Sequence, residues 1–272
     1  MADRNDDGSD RYRAPALDKG LDILELLAND EEGMSQIAIA KALDRTPNEI
    51  YRMLDRLVRR GYLVRTAADR YEITLKLFGM AHRHPPMRRL VSQALPRMRR
   101  FAREAQQSLH MVVYDRGSCL VIAQVDAPGY WGLAIRVGSH ISLLNTGSGH
   151  ILLAFADAAE RQLMLEEREV MPHEIWPDNL DGRLADVLAR GYEMMPSQQT
   201  TGVTNISVPL IGPAGTVLAA LTCPHIERID IEDALPKAQV LAMLQAAARD
   251  IPFAADGGDQ AVPGFSSEGT KA

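Results

Sequence analysis

Between Ser35 and Arg60 the apolar positions recur at helical spacing in two short runs. The first is Ile37, Ala38, Ala40 and Leu43, preceded by Ser35, a residue able to cap a helix. The second is Ile50, Leu54, Leu57 and Val58, an i, i+4, i+7, i+8 pattern that predicts a helix with one buried face. Its start is well marked. Thr46 can cap it, Pro47 stands at the first helical position, and Glu49 can bond back to the cap. The opposite face carries Asn48, Arg52, Asp55 and Arg59, and only Asp44 and Arg45 separate the two runs. Two short helices, a tight turn and a second helix with a polar, basic face predict a helix-turn-helix whose second helix enters the DNA major groove.

The pattern then changes to strand. Gly61 can end the helix; Tyr62–Arg65 and Arg70–Ile73 read as strands around a Thr66-Ala67-Ala68-Asp69 turn, the wing of a winged helix. Arg65 and Arg70 flank that turn. The competing reading, an ordinary helix pair with solvated arginines, has no use for both the capping signals and the wing. The expected DNA contacts are Gln36, Arg45, Thr46, Asn48, Glu49, Tyr51, Arg52, Arg59, Arg65 and Arg70. Asn48 and Arg52 are placed for base edges, Tyr51 for the groove wall, and Arg45, Arg59 and Arg65 for phosphates.

Pro85-Pro86 marks a boundary. Before it, Leu75, Leu77, Phe78 and Met80 suggest a short helix too apolar to face water, hence a pairing surface. After it, Met87 to Ala105 predicts a helix with an apolar stripe from Leu90 to Ala105 containing Pro96. Strands are expected at 111–114, 119–123, 133–137, 205–211 and 216–222, and helices at 151–155, 158–168, 179–190 and 232–250. Helices flanking an antiparallel sheet imply a sensor-like α+β module. The expected organisation is a tail at 1–13, a DNA-binding domain at 14–75, a linker at 76–87, an effector-binding domain at 88–252 and a tail at 253–272. Both tails are rich in Gly, Asp and Ser and are expected to be disordered.

Charge sharpens this division. The chain is acidic at net −6, a poor sign for a nucleic-acid binder. Yet Arg11 to Arg103 holds 19 Lys/Arg against 11 Asp/Glu, and Glu104 to Asp250 holds 9 against 18. A basic third joined to an acidic remainder fits one domain that neutralises phosphate and another with a different task. No apolar run approaches the ~20 residues of a membrane span. The acidic first residues predict no signal peptide, and two cysteines, Cys119 and Cys223, suggest a reducing cytoplasm.

Candidate chemistry in the second domain centres on Gly147-Ser148-Gly149. It lacks the spacing of a nucleophile elbow or a P-loop. The histidines His110, His140, His150, His173 and His225 are scattered, with no Asp evidently placed to orient one. Catalysis is therefore not expected, nor a metal or cofactor; His82 and His84 read as solvated linker residues. At a helix start the Gly-Ser-Gly N–H groups can hold a carboxylate. The alternative is a tight turn with Ser148 as the cap.

The ordered motifs resemble the IclR family of bacterial transcription regulators over about 15–252. They are Leu17-Asp18-Lys19-Gly20-Leu21-Asp22-Ile23-Leu24-Glu25-Leu26-Leu27, Arg60-Gly61-Tyr62, Arg136-Val137-Gly138-Ser139, Thr146-Gly147-Ser148-Gly149-His150, Arg190-Gly191-Tyr192 and Thr201-Gly202-Val203-Thr204-Asn205-Ile206-Ser207-Val208-Pro209-Leu210. The resemblance implies a winged helix-turn-helix joined by a linker helix to a GAF-like effector domain. It further implies a homodimer or homotetramer, a double-stranded operator, and a small organic-acid effector controlling a degradative operon. It places the pocket at Leu133, Ile141, Gly147, Ser148, Val203, Asn205 and Thr222. Where some members of the family have an acidic pocket residue this chain has Met195, and Asn205 replaces a frequent Cys. A less charged pocket, with Tyr130 and Trp131 near it, favours an aromatic acid. The alternative function is an enzyme with an accessory helical domain.

Overall fold

The computed structural model describes residues 14–83, 85–130, 132–229 and 234–252. The expected tails, Trp131, His84, the side chain of His82 and residues 232–233 of the helix expected at 232–250 lie outside the described residues. The chain divides into two compact units that meet at Pro85/Pro86.

The first unit runs α1 (Pro15–Ala28), β1 (Met34–Ser35), α2 (Gln36–Ala42), α3 (Pro47–Arg59), β2 (Leu63–Arg65), β3 (Arg70–Ile73) and α4 (Lys76–Arg83). Its sheet has the order β1-β3-β2 and is antiparallel throughout. Ile23, Leu27, Ile39, Ala40, Ile50, Leu54, Leu63 and Tyr71 form its core. The predicted stripe of α3 is the buried one. In α2 the inward residues are Ile39 and Ala40, while Ile37 is 72% exposed. A two-turn helix has too few residues for all its apolar positions to share one face, and Ile37 falls on the outer side.

The turn between α2 and α3 has a specific closure. Asp44 is left-handed at φ 51°. Its N–H reaches Lys41 O at 3.2 Å, and the Arg45 N–H reaches Ala40 O at 2.8 Å. This is the Schellman arrangement with Asp in the position glycine favours. The end of α3 repeats it with Gly61 at φ 72°, Gly61 N–H to Val58 O and Tyr62 N–H to Leu57 O, both at 2.9 Å. Gly61 thus ends the helix and turns the chain into the wing, whose strands pair Leu63 with Ile73 and Arg65 with Tyr71.

The second unit runs α5 (Pro85–Ala105), β4 (Leu109–Asp115), β5 (Ser118–Val125), β6 (His140–Ile141), α6 (Gly147–Phe155), α7 (Ala158–Glu166), α8 (Leu180–Arg190), β7 (Glu193–Pro196), β8 (Val203–Ile211), β9 (Val217–Ile226) and α9 (Lys237–Arg249). Six antiparallel strands form one sheet in the order β6-β5-β4-β9-β8-β7. On one face Leu109, Met111, Leu221 and Cys223 pack with α5 and α9 side chains. On the other Val112, Cys119, Val121 and Ala220 pack with α6 and α8 side chains.

Two expectations are corrected here. Residues 133–137 are not a strand: the edge of β5 is taken by Gly138–Ile141, through Gly138 N–H to Val121 O at 2.8 Å and the β6 pairing. Alternating apolar residues there gave a strand pattern without a ladder to join. The long helix begins at Pro85 rather than Met87, because prolines suit a first helical turn. The short strands β1, β6 and β7 were not anticipated.

Candidate functional site: a recognition helix and a buried polar face

The basic helix α3 is positioned by its own caps. Glu49 Oε2 accepts from the Thr46 N–H and hydroxyl, each at 2.8 Å, and Oε1 lies 3.4 Å from Lys19 Nζ. The Thr46 hydrogen bonds, aided by Lys19, hold the Glu49 carboxyl down at about 2. Gln36 Nε2 donates to Pro47 O at 2.9 Å, tying the start of α2 to the start of α3. Thr46, Glu49 and Gln36 are therefore engaged inside the domain.

The arginines divide similarly. Arg70 Nε donates to Glu32 O and Gly33 O at 3.1 and 3.0 Å, which clamps the wing to the loop before β1. Arg45 lies 3.5 Å from Asp22, with its Nε buried and unpartnered among the described residues. Arg59 pairs with Asp55 at 2.9 Å. Arg65 pairs with Asp69 and stands over the Tyr71 ring at 5.8 Å. Asn48, Tyr51 and Arg52 remain on the outward face of α3, all exposed. The side chains of Asn48 and Arg52 have no hydrogen-bond or ion-pair partner among the described residues.

In the second unit, strand register builds a polar row. Glu193, Ser207, Thr222 and His110 are successive in-register partners across β7, β8, β9 and β4. In-register neighbours point to one face, here the face that α6 covers. The first turn of α6 settles directly on the row. Ser148 Oγ is 2.8 Å from Thr222 Oγ1, which is 2.7 Å from Ser207 Oγ. His150 Nδ1 is 3.0 Å from Glu193 Oε2, and its Nε2 is 2.8 Å from Leu144 O. All of these side chains are buried. Burial pushes the Glu193 carboxyl up, but the hydrogen bond and charge of His150, the Met194 N–H and Arg183 outweigh it, so the group lies below the usual carboxylate range.

The glycines have a packing role. A Cβ on Gly149 would lie 2.0 Å from Leu143 O, and one on Gly147 2.5 Å from Ser207 Oγ. The helix cap is Thr146, whose hydroxyl accepts from the Gly149 N–H at 3.1 Å. Ser148 is therefore not the cap; it lies inside the first turn, hydrogen-bonded to the sheet. At the other end of α6, Arg161 donates to the carbonyls of Leu153 and Ala156 at 2.8 and 3.2 Å.

Of the pocket residues expected from sequence, Gly147, Ser148 and Thr222 meet at this row. Val203 and Asn205 continue the same face of β8 beyond Ser207, and Asn205 is in register with Met195 and Pro224. Leu133 borders a cavity of about 10 Å³ with Ser108, Gly132, Pro224 and Ile226. Ile141 sits on β6 at the opposite edge of the sheet, paired with Cys119. Sequence reasoning missed His110, His150, Glu193 and Ser207. The signal it lacked was register: the Glu that orients His150 stands 43 positions away. Among the described residues no group of three or more His, Cys, Asp or Glu is gathered for a metal, and no helix is long and apolar enough to cross a membrane.

An outward-facing basic helix on a winged domain, and a separate α+β domain with a buried polar face, define a DNA-binding regulator with a sensory domain. The chain belongs to the IclR family: the IclR helix-turn-helix domain matches residues 16–67 and the bacterial transcriptional regulator IclR C-terminal domain matches 86–253. The regulator KdgR of Escherichia coli is 27% identical over 239 residues, covering 84% of this chain and 88% of its own. BhcR of Paracoccus denitrificans is 28% identical over 246 residues, covering 88% and 86%. Among solved structures, an IclR homologue of Microbacterium hydrocarbonoxydans superposes with a TM-score of 0.73 at 22% identity, covering 87% of this chain and 97% of that one. Thermotoga maritima IclR superposes at 0.66 with 21% identity, covering 86% and 96%. The relatives are named as transcriptional regulators rather than enzymes.

Proposed function

We propose that this regulator binds a two-fold operator as a homodimer or homotetramer in the cytoplasm and controls a catabolic operon in response to a small organic acid, of aromatic type. The observation that carries the DNA half is the outward face of α3, where Asn48 and Arg52 are exposed without internal partners. Polar groups that the fold leaves unused on a groove-sized helix are available for base edges, while Arg59 and Arg65 can exchange Asp55 and Asp69 for phosphates.

For the effector, the support is the first turn of α6. The N–H groups of Gly147 and Ser148 have no partner among the described residues, and a helix start favours a carboxylate there. Val203, Leu133 and Met195 offer apolar walls and Asn205 a polar contact, while Thr222, bonded to Ser148 and Ser207, holds α6 against the sheet beside them. An aromatic ring brings enough apolar area to offset desolvation of the acid. The Microbacterium homologue was crystallised with 4-hydroxybenzoate, which is consistent with this class. The cavity beside Leu133 is water-sized in this structure, so binding a ring requires it to widen. The test is calorimetry on the full-length protein with aromatic acids and with two- and three-carbon keto acids. Binding of aromatic acids alone fits the proposal, and binding of keto acids alone contradicts it.

A further inference from the structure

One polar group on the face under α6 is left over. His110 is 2% exposed, and its Nδ1 has no hydrogen-bond partner among the described residues. An unpaired buried nitrogen is costly and calls for a reason. Its side chain shares the face of Val112, which packs on the α6 side, and its register neighbour is Thr222. The Thr222 hydroxyl is already engaged by Ser148 and Ser207. Two residues before His110 on the same face is Ser108, and two residues past Thr222 is Pro224. Both border the cavity that also touches Leu133. His110 does not line that cavity itself; it is the next residue inward on the same face, between the cavity-lining Ser108 and the α6 side of the sheet, where its neighbour Thr222 meets Ser148. Burial pushes its pKa down to about 4, so at neutral pH one ring nitrogen is an acceptor.

We propose that His110 is the specificity-determining residue of the effector site and that its Nδ1 accepts a hydrogen bond from a ligand hydroxyl, which makes the ligand a hydroxy acid. This rests on the reading of the face under α6 as the effector site. The carboxylate goes to the N–H groups of Gly147 and Ser148, and the hydroxyl supplies the bond that His110 lacks. A site built around such a group discriminates against the analogue without the hydroxyl, because the nitrogen then stays unpaired.

The experiment is calorimetry and thermal shift on the full-length protein with matched pairs: 4-hydroxybenzoate and benzoate, 3-hydroxybutyrate and butyrate. The wild type is expected to bind at least one hydroxylated member about ten-fold more tightly than its partner. His110→Phe is expected to bind both members of the pair equally. His110→Gln, whose amide oxygen can accept, keeps part of the preference. Without ligand, His110→Phe melts at or above the wild-type temperature, since it loses no hydrogen bond; His110→Leu gives the same readings should the phenylalanine not fold. A wild-type preference retained in His110→Phe or His110→Leu overturns the role of His110 and leaves the site standing. A fall of several degrees in both apo variants also overturns it, by marking a structural hydrogen bond. If no acid binds the wild type, the reading of the site falls and this inference with it.

Discussion

His150 and Glu193 form a buried pair, Nδ1 to Oε2 at 3.0 Å, that fastens the helix α6 to the edge strand β7. The second ring nitrogen of His150 faces Leu144 O at 2.8 Å, so the same residue also holds the loop leading into α6. Glu193→Gln keeps the size and removes the charge. It is expected to destabilise the effector domain by about 1–3 kcal/mol at neutral pH. Because the folded Glu193 carboxyl is held below its ordinary value, its contribution is fully present above the unfolded pKa and disappears as pH falls through the folded one. Urea unfolding from pH 7 to 3.5 should therefore show a wild-type advantage that shrinks below about pH 4.5. A constant gap contradicts the pairing.

Gly149 is set by packing. A methyl group there meets the backbone carbonyl of Leu143 at 2.0 Å, and a carbonyl inside a loop pinned by Ser142 and His150 cannot step aside. Gly149→Ala should cost about 3 kcal/mol or more. At Gly147 the obstacle is the Ser207 hydroxyl, which can rotate at the expense of its bond to Thr222. Gly147→Ala should cost less, about 1–2 kcal/mol. Thermal melts of the two variants check the order.

On the DNA side, Arg52 and Arg70 should behave oppositely. Arg52→Ala leaves the fold unchanged, weakens operator binding by about 1–3 kcal/mol and relaxes preference at one base position. Arg70→Ala lowers the melting temperature, because the wing loses its hold on the carbonyls of Glu32 and Gly33. Footprinting combined with melting curves separates them, and an unchanged footprint for Arg52→Ala rules out its base contact.

Assembly is expected to use the apolar residues around α4. Leu75 is 82% and Phe78 60% exposed, more apolar surface than an isolated short helix should show to water. Leu75→Asp combined with Phe78→Glu should shift sedimentation toward monomer and weaken operator binding, since two half-sites need two recognition helices. An unchanged oligomer in that variant removes this surface from the interface.

The winged domain was legible because its signals are local. Thr46, Pro47 and Glu49 mark the start of α3 within four residues, and Gly61 marks its end. The buried site was less legible. Glu193, Ser207, Thr222 and His110 become neighbours only through strand pairing, and β7 has too few residues to show a pattern. The alternation at Leu133, Ile135 and Val137 predicted a strand, yet the β5 edge was already satisfied by Gly138–Ile141. Gly-Ser-Gly was read as an anion cradle, and close packing at Gly147 and Gly149 supplies an independent reason for both glycines.

The most direct test of the account is operator binding by the full-length protein as a function of salt and of acid. Fragments selected from the DNA flanking its own gene would be titrated by fluorescence anisotropy, first across salt and then with 4-hydroxybenzoate. The account predicts saturable binding whose log K falls linearly with log salt, as released counterions require, and an affinity that the acid shifts. Absence of salt-dependent binding to any fragment at low ionic strength would contradict it.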